Sequence, residues 1–501
     1  MSDAAQEKEG RPEVRGEPRL LIDGKLVEAS GGRGFANIDP ATEQSLGDSA
    51  DGTPADMGRA IVAARRAFDE TSWAEDHAFR RRCLEQLHQA LLSHKEELRA
   101  VVVAEAGSPL ALTYVMQVDG PIDDLDYWAA QTDQYEYERW LPVREVFGQP
   151  QRRLIRREPI GVVGAITPWN FPLYLNLAKL GPALAAGNTV VLKPAPDTPW
   201  SATVLGRLVA EETDIPAGVV NVVASSDHLV GEVLTTDPQV DMITFTGSTV
   251  TGRRIMAKAS DTVKKVFLEL GGKSANIVLD DGDLSASVPI SAMGVCTHAG
   301  QGCAITTRLL VPRSRYDEAV EMAAASMAAV SYGDPWDMNN FQGPLISAKQ
   351  RDRVLGYIEK GKAEGARLVC GGGIPAQLPT GYYVEPTLFA DVDPKATIAQ
   401  EEIFGPVLVV CAFEDDDDAV RIANDSIYGL SGAVTSASEE RALAVARRIR
   451  TGTLMVNGGM WNAPDVPFGG YRQSGLGREN GVEGFEEYLE TKAMGLPGGA
   501  A

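Results

Sequence analysis

Ile160-Gly-Val-Val-Gly-Ala-Ile166, running into Thr167-Pro-Trp-Asn-Phe-Pro172, is the stretch on which the reading of the fold turns. The apolar run is too short for a helix and is closed by proline-rich punctuation, so it reads as a buried strand ending in a rigid turn. Thr189-Val-Val-Leu-Lys193, Val219-Val-Asn-Val-Val223 and Met242-Ile-Thr-Phe245 repeat the pattern. Helical spacing fills 173–186, 201–212 and 252–259. Strands alternating with helices predict a parallel, doubly wound α/β sheet. Working outward, Ala275-Asn-Ile-Val-Leu279 and Thr307-Arg-Leu-Leu-Val311 read as strands, and 290–300 and 316–330 as helices. That is a second α/β unit. Upstream, Asp23-Gly24 sits at the turn of a hairpin over 20–27. Helices are expected over 55–68, 80–106 and 121–137, and a disordered tail over 1–18.

The 501 residues exceed what one hydrophobic core usually serves, so more than one domain is expected. A formal net charge of −22 argues against nucleic acid or an anionic membrane as partner. The five cysteines (Cys83, Cys296, Cys303, Cys370, Cys411) are dispersed, with no C-x-x-C pair. Neither a metal site nor a disulfide scaffold is indicated, and a reducing compartment fits. The polar N-terminus has no apolar signal-like core, and no run of 18 apolar residues occurs, so a cytoplasmic protein is expected.

Several segments can carry chemistry. In Gly300-Gln-Gly-Cys303 small neighbours leave a sulfur approachable. In Phe267-Leu-Glu-Leu-Gly-Gly-Lys273 an apolar setting raises a carboxyl pKa toward a general base at Glu269. Asn170, in its rigid turn, offers an amide to an oxyanion. Phe245-Thr-Gly-Ser-Thr-Val-Thr-Gly252 is strand, glycine turn and helix, a place for a phosphate. Alone, each has an ordinary reading: a core cysteine, an edge glutamate, a turn asparagine, a common strand-to-helix turn. Glu401-Glu-Ile-Phe-Gly-Pro406 and Pro467-Phe-Gly-Gly-Tyr-Arg-Gln-Ser-Gly475 are aromatic glycine turns with no chemistry of their own.

In this order and spacing the segments resemble the aldehyde dehydrogenase superfamily, from about Leu20 to Met494. The resemblance implies a discontinuous, Rossmann-like cofactor domain (19–137 and 160–270), a catalytic domain (271–475), and a small β arm (138–159 and 483–501) for assembly as a homodimer or homotetramer. It implies that Cys303 is the nucleophile, that Asn170 and the Cys303 N–H hold the oxyanion, and that Glu269 activates the water that hydrolyses a thioester. Cofactor contacts implied in the same way are Ile166, Thr167, Trp169 at the adenine-side entrance, Lys193, Gly247, Ser248, Gly252, Leu270, Gly271, Glu402 and Phe404. Lys179 and Glu479 resemble residues of a proton path.

One position departs from the pattern. Where many NAD-preferring relatives carry a ribose-binding glutamate, this chain has Pro196. Losing that carboxylate leaves NADP unopposed. NAD is still expected, because no arginine stands nearby to clamp a 2′-phosphate. Phe171, Leu175, Ala178, Met460, Trp461 and Phe468 align with the substrate entrance, an apolar wall without an acidic cage. A hydrophobic aldehyde is therefore expected: medium-chain, terpenoid or aromatic. Two other functions are open to such a scaffold. A non-catalytic protein on this scaffold is opposed by the full set of Cys303, Asn170, Glu269, Lys193 and Glu402. A coenzyme A-acylating enzyme is opposed by Glu269. Cys296 reads as a structural thiol, and His298 as too isolated to pair with Cys303.

Overall fold

The run read first forms the strand Val162–Ile166, with Val162 to Ala165 buried. The computed structural model describes residues 12–498. Five parallel strands stand in the spatial order Lys265–Glu269, Met242–Thr246, Val162–Ile166, Thr189–Lys193, Val220–Val222. The chain steps outward from 162–166 in one direction, then returns to its other side at 242–246. Such a reversal opens a crevice at the carboxyl ends of the strands. The hairpin Leu20–Ile22 and Lys25–Val27 extends one edge, and Gly475–Leu476 adds antiparallel to the other.

A second sheet runs Arg367–Cys370, Thr387–Ala390, Val407–Phe413, Thr306–Pro312, Ser274–Val278, Gly432–Thr435, Met455–Val456. Only its first strand is antiparallel. Apolar clusters cover both faces of both sheets, as buried parallel strands require. Only residues 270–273 separate the last parallel strand of the first sheet from Ser274 of the second. A third, antiparallel sheet joins Leu489–Pro497, Gln149–Pro159 and Glu138–Val146. It leaves Trp140, Val143 and Phe147 exposed. Among the described residues, no helix is long and apolar enough to cross a membrane.

Some expected elements differ. The helix over 80–106 is two, His77–Ser93 and Lys95–Ala106. The break at His94 is held by its ring, which meets Glu97 at 2.8 Å and Glu212 at 2.6 Å. The helix expected over 290–300 is Leu284–Gly294. Beyond it His298 (φ 48°), Ala299 (φ 54°) and Gly300 (φ 76°) are left-handed, which ends a helix whatever the apolar spacing. Residues 1–11 of the expected tail lie outside the described residues. Within 12–18 disorder is not what is found: Glu17 is buried and accepts from the Arg19 N–H at 2.9 Å, and the Pro18 carbonyl accepts from Ala50 N–H at 2.6 Å.

Buried Glu105 ties the first unit together. It accepts from Asn37 Nδ2 at 2.8 Å and from the N–H groups of Trp200 (2.9 Å) and Ser201 (2.7 Å) at the start of the helix Trp200–Glu212. Burial still lifts its carboxyl to about 7. Glu105→Leu leaves those donors unpaired, and a loss of about 3–5 kcal/mol is expected, seen as a lower Tm. An unchanged Tm would show that the carboxylate is dispensable.

Candidate active site

Glu269 ends the last parallel strand of the first sheet, and Cys303 lies three residues before the strand Thr306–Pro312 of the second. The short link between the sheets brings them together. A Cβ at Gly272 would come 2.5 Å from the Cys303 carbonyl, and one at Gly271 would collide with the Glu402 carboxylate. Glycine is needed at both for backbone and site to close up. Glu402 is fixed by accepting from Gly272 N–H at 2.9 Å, and burial raises its carboxyl to about 7.

Asn170 is buried beside this loop. Its Nδ2 donates to the Gln301 carbonyl at 2.8 Å, which uses one of its two N–H groups. Its own carbonyl accepts from Gln117 Nε2 at 2.9 Å. Gln301 is held in turn, donating from Nε2 to the His298 carbonyl (3.1 Å) and accepting from Ile346 N–H at 2.9 Å. The approach to Cys303 is therefore a fixed, left-handed turn pinned at both ends. Gly300 is obligatory in it, since a Cβ there would strike the Gly405 backbone.

Both oxygens of Glu269 are buried without a hydrogen-bond partner among the described residues. Burial drives its pKa well above the ordinary range. Glu479 pushes the same way, while Lys179 and Arg478 oppose. Glu479 is paired with Lys179 at 2.5 Å in a fully buried contact, with the ammonium 4.5 Å from the Phe267 ring centre. Burial also raises the Cys303 thiol, helped by Glu269, Glu402 and Glu479. The segment Pro467–Gly475, silent as a motif, closes over Glu269. Ser474 accepts from Leu270 N–H at 2.8 Å, and a Cβ at Gly469 would lie 2.7 Å from Glu269 Oε1.

A cavity of about 300 Å³ opens at the carboxyl ends of 162–166 and 242–246, where the strand order reverses. Ile166, Thr167, Lys193, Pro196 and Gly247 line it. Ser248 caps the helix Thr249–Ala259 at its edge, accepting from Thr251 N–H at 3.2 Å. Gly252 makes room for Leu270, 2.7 Å from where a Cβ would be. Lys193 is buried, which lowers its pKa to about 8. Trp169 is not among the lining residues at the expected adenine-side entrance. It meets Phe404 edge to face, 5.4 Å between centres.

Two expectations about charge are corrected. Arg254 and Lys258 line the cavity, along with His228. They stand one turn apart on a helix distant in sequence from Lys193, which hid them. Both are paired with Glu232, Lys258 at 3.3 Å. Nor are the residues expected at the substrate entrance in wholly apolar surroundings. Leu175 and Ala178 are buried on the helix Pro172–Ala185, and the Phe171 ring lies 3.9 Å from a Cβ built on Gly302. Ala178, however, shares a narrow crevice with Asp124, Trp128, Tyr174 and Asn480. Pro121, Asp124, Leu125 and Trp128 follow helical spacing, so a carboxylate on an otherwise apolar face was the signal available in the sequence. Trp461 stacks on Phe468 at 5.2 Å, and Met460 is exposed.

One further group escaped the sequence reading. Lys273 is buried with its Nζ unpartnered among the described residues, and burial lowers it to about 7. Neither His298 nitrogen has a hydrogen bond of normal geometry among the described residues. Its ring packs on Phe171 at 5.5 Å, and burial lowers it to about 4. The five cysteines are free, and the Cys296 thiol donates to the Ala292 carbonyl at 3.4 Å.

A family model described as the aldehyde dehydrogenase family matches residues 26–494. The chain belongs to this family. It is 43% identical to 3-succinoylsemialdehyde-pyridine dehydrogenase from a Pseudomonas species, over 96% of this chain and 98% of that one. Among solved structures it is similar to an aldehyde dehydrogenase of Mycobacterium tuberculosis complexed with NAD+, at 42% identity and TM-score 0.93, covering 97% and 100% of the chains. It is also similar to aldehyde dehydrogenase C of Pseudomonas syringae, a cysteine-to-alanine mutant with NAD+ and octanal, at 40% identity and TM-score 0.90, covering 96% and 98%. The α/β architecture of this aldehyde dehydrogenase is that of its solved relatives.

Because burial raises the Cys303 thiol, its alkylation by iodoacetamide in the cofactor-free dehydrogenase is expected to be slow at pH 7 and to accelerate above about pH 8.5, the ordinary thiol value. A rate already at its plateau at pH 7 would contradict this.

Proposed function

We propose that this dehydrogenase oxidises hydrophobic aldehydes to free carboxylic acids with NAD, through a thioester on Cys303. The observation that carries the proposal is a half-buried thiol and a buried carboxylate without a hydrogen-bond partner among the described residues, both at the junction of the two sheets. Cys303 Sγ, once deprotonated, bonds to the aldehyde carbon and gives a thiohemiacetal. The free N–H of the Asn170 amide and the Cys303 N–H stabilise the oxyanion. NAD supplies the hydride acceptor when bound, with Lys193 and Glu402 suited to its two riboses and the helix start at Ser248 to its phosphates. Ionised Glu269 takes a proton from water, whose oxygen forms a bond to the thioester carbon as the C–S bond breaks. The acid leaves and the thiol is restored. Both Cys303 and Glu269 have raised pKa values and both must lose protons, so kcat/KM is expected to climb with pH through the neutral and alkaline range. Glu269→Gln is expected to cut kcat by about 10²–10⁴. Coenzyme A thioester as the obligatory product would exclude this mechanism.

The apolar residues Phe171, beside Gly302, and Leu175 and Ala178 on the helix that follows it support a hydrophobic chain, and so does octanal bound in the P. syringae relative. Octanal is expected to exceed acetaldehyde in kcat/KM by about tenfold or more, since each buried methylene contributes about 0.8 kcal/mol. The reverse ranking would refute a hydrophobic pocket.

NAD preference rests on Glu232 rather than on position 196. It neutralises Arg254 and Lys258, the two cations that would otherwise receive a 2′-phosphate. Glu232→Gln is expected to raise the NADP-to-NAD ratio of kcat/KM by about tenfold, which corresponds to about 1.4 kcal/mol. An unchanged ratio would remove Glu232 from cofactor choice. The exposed Trp140, Val143 and Phe147 of the antiparallel arm support self-association as a homodimer or homotetramer, and a cytoplasmic location fits the thiol chemistry.

A further inference from the structure

A buried amide that the oxidation itself does not use holds the backbone of Asn170. Gln117 closes a single π-helical turn, Thr113–Gln117, between the short helix Leu110–Leu112 and the helix Asp119–Gln134. The Val118 N–H reaches back five residues to the Thr113 carbonyl, one residue more than an α-helix spans. Burial in this turn runs against the chemistry of its side chains. Tyr114, Val115 and Met116 face solvent, Val115 being 65% exposed, while the polar Thr113 and Gln117 are fully buried. Such an inversion costs stability, and local rules of this kind are broken mainly where function needs it.

The turn is held rigidly. Arg99, buried on the helix Lys95–Ala106, donates to Thr113 Oγ1 at 2.8 Å and to Asp119 Oδ1 at 2.7 Å, and so clamps both ends. Its guanidinium also lies 3.8 Å from the centre of the Tyr114 ring. A Cβ at Gly120 would come 2.4 Å from the Val115 carbonyl, so only glycine lets the chain leave the turn there. Gln117 is thereby presented in one place. Its Nε2 donates to the Asn170 carbonyl at 2.9 Å, and its Oε1 has no partner among the described residues. A carbonyl only accepts, which fixes the orientation of the Gln117 amide. The orphaned oxygen is destabilising, so what the amide supplies is its bond to Asn170. His298 faces the same carbonyl without a hydrogen bond of normal geometry. The segment carrying Asn170 is tied before it by Thr167 N–H donating to the Lys193 carbonyl at 3.2 Å, and after it by Leu175 N–H donating to the Phe171 carbonyl at 2.9 Å. Gln117 supplies the tie at Asn170 itself.

We propose that Gln117 is a positioning residue of the oxyanion site, fixing the Asn170 backbone so that the free N–H of the Asn170 amide points at the aldehyde oxygen. This rests on the aldehyde oxidation proposed above, in which that amide stabilises the oxyanion, and adds the residue that aims it.

The test is a double-mutant cycle on the full-length enzyme with NAD and octanal, using Gln117→Met, Asn170→Ala and the two combined. Asn170→Ala alone is expected to cut kcat by about 10²–10³. Gln117→Met is expected to lower kcat about tenfold, with the KM for octanal and the affinity for NAD nearly unchanged, because the amide is misplaced and binding is not. In the Asn170→Ala background the same change is expected to cost less than about twofold, since the amide it aims is gone. Gln117→Leu, a second replacement without a donor, is expected to behave alike, and NAD binding by each variant reports an intact fold. An unchanged kcat in Gln117→Met, an equal loss in both backgrounds, or failure of both Gln117 variants to bind NAD would overturn the role of Gln117 and leave aldehyde oxidation standing. If Asn170→Ala itself keeps the wild-type kcat, the oxyanion reading of Asn170 fails, and the role of Gln117 with it.

Discussion

Two glycines between two sheets set the geometry on which everything else rests. Strand 265–269 of the first sheet and strand 274–278 of the second are consecutive, with only residues 270–273 between them. Each sheet carries its own apolar clusters, so the two units must abut at this link. Any side chain at Gly271 would displace the Glu402 carboxylate, and any at Gly272 would displace the Cys303 backbone. The constraint is steric, and its effect is chemical. Glu269, Cys303 and Glu402 converge from three parts of the chain at this junction.

Burial then governs the behaviour of those groups. In a low-dielectric volume the charged forms of thiol and carboxyl are both disfavoured, and each anion disfavours the other. Lys179 is the counterweight. Its ammonium is fully consumed by Glu479, yet it still lowers the Glu269 pKa. The site at rest therefore holds its protons and becomes reactive as they are removed. On the other side of the link, the reversal of strand order provides the cavity for a dinucleotide, and Glu232 sets the charge on its far wall.

Much of this was legible in the sequence, for identifiable reasons. Buried parallel strands are short and continuously apolar, so Val162–Ile166 and Thr189–Lys193 announced themselves. Cys303, Glu269 and Asn170 lie in segments whose order and spacing carried the family resemblance. What escaped depended on contacts between distant segments or on local dihedrals. The break at His94 is held by carboxylates, one of them Glu212, on another helix. The left-handed run from His298 to Gly300 overrides an apolar period that would extend a helix. Arg254 and Lys258 reach the cavity only because their helix folds beside Lys193. Asp124 was readable as a charge on an apolar helical face, but its neighbours Tyr174 and Asn480 come from remote parts of the chain.

In the proposed mechanism Cys303 alone carries the acyl group and Glu269 releases it. The most direct measurement is acid-quenched mass spectrometry of the Glu269→Gln protein after mixing with NAD and octanal. An octanoyl mass is expected on the peptide containing Cys303, none on peptides containing Cys83, Cys296, Cys370 or Cys411, and little accumulation in the wild type. NADH formation without an adduct on Cys303, or an adduct on another cysteine, would contradict it.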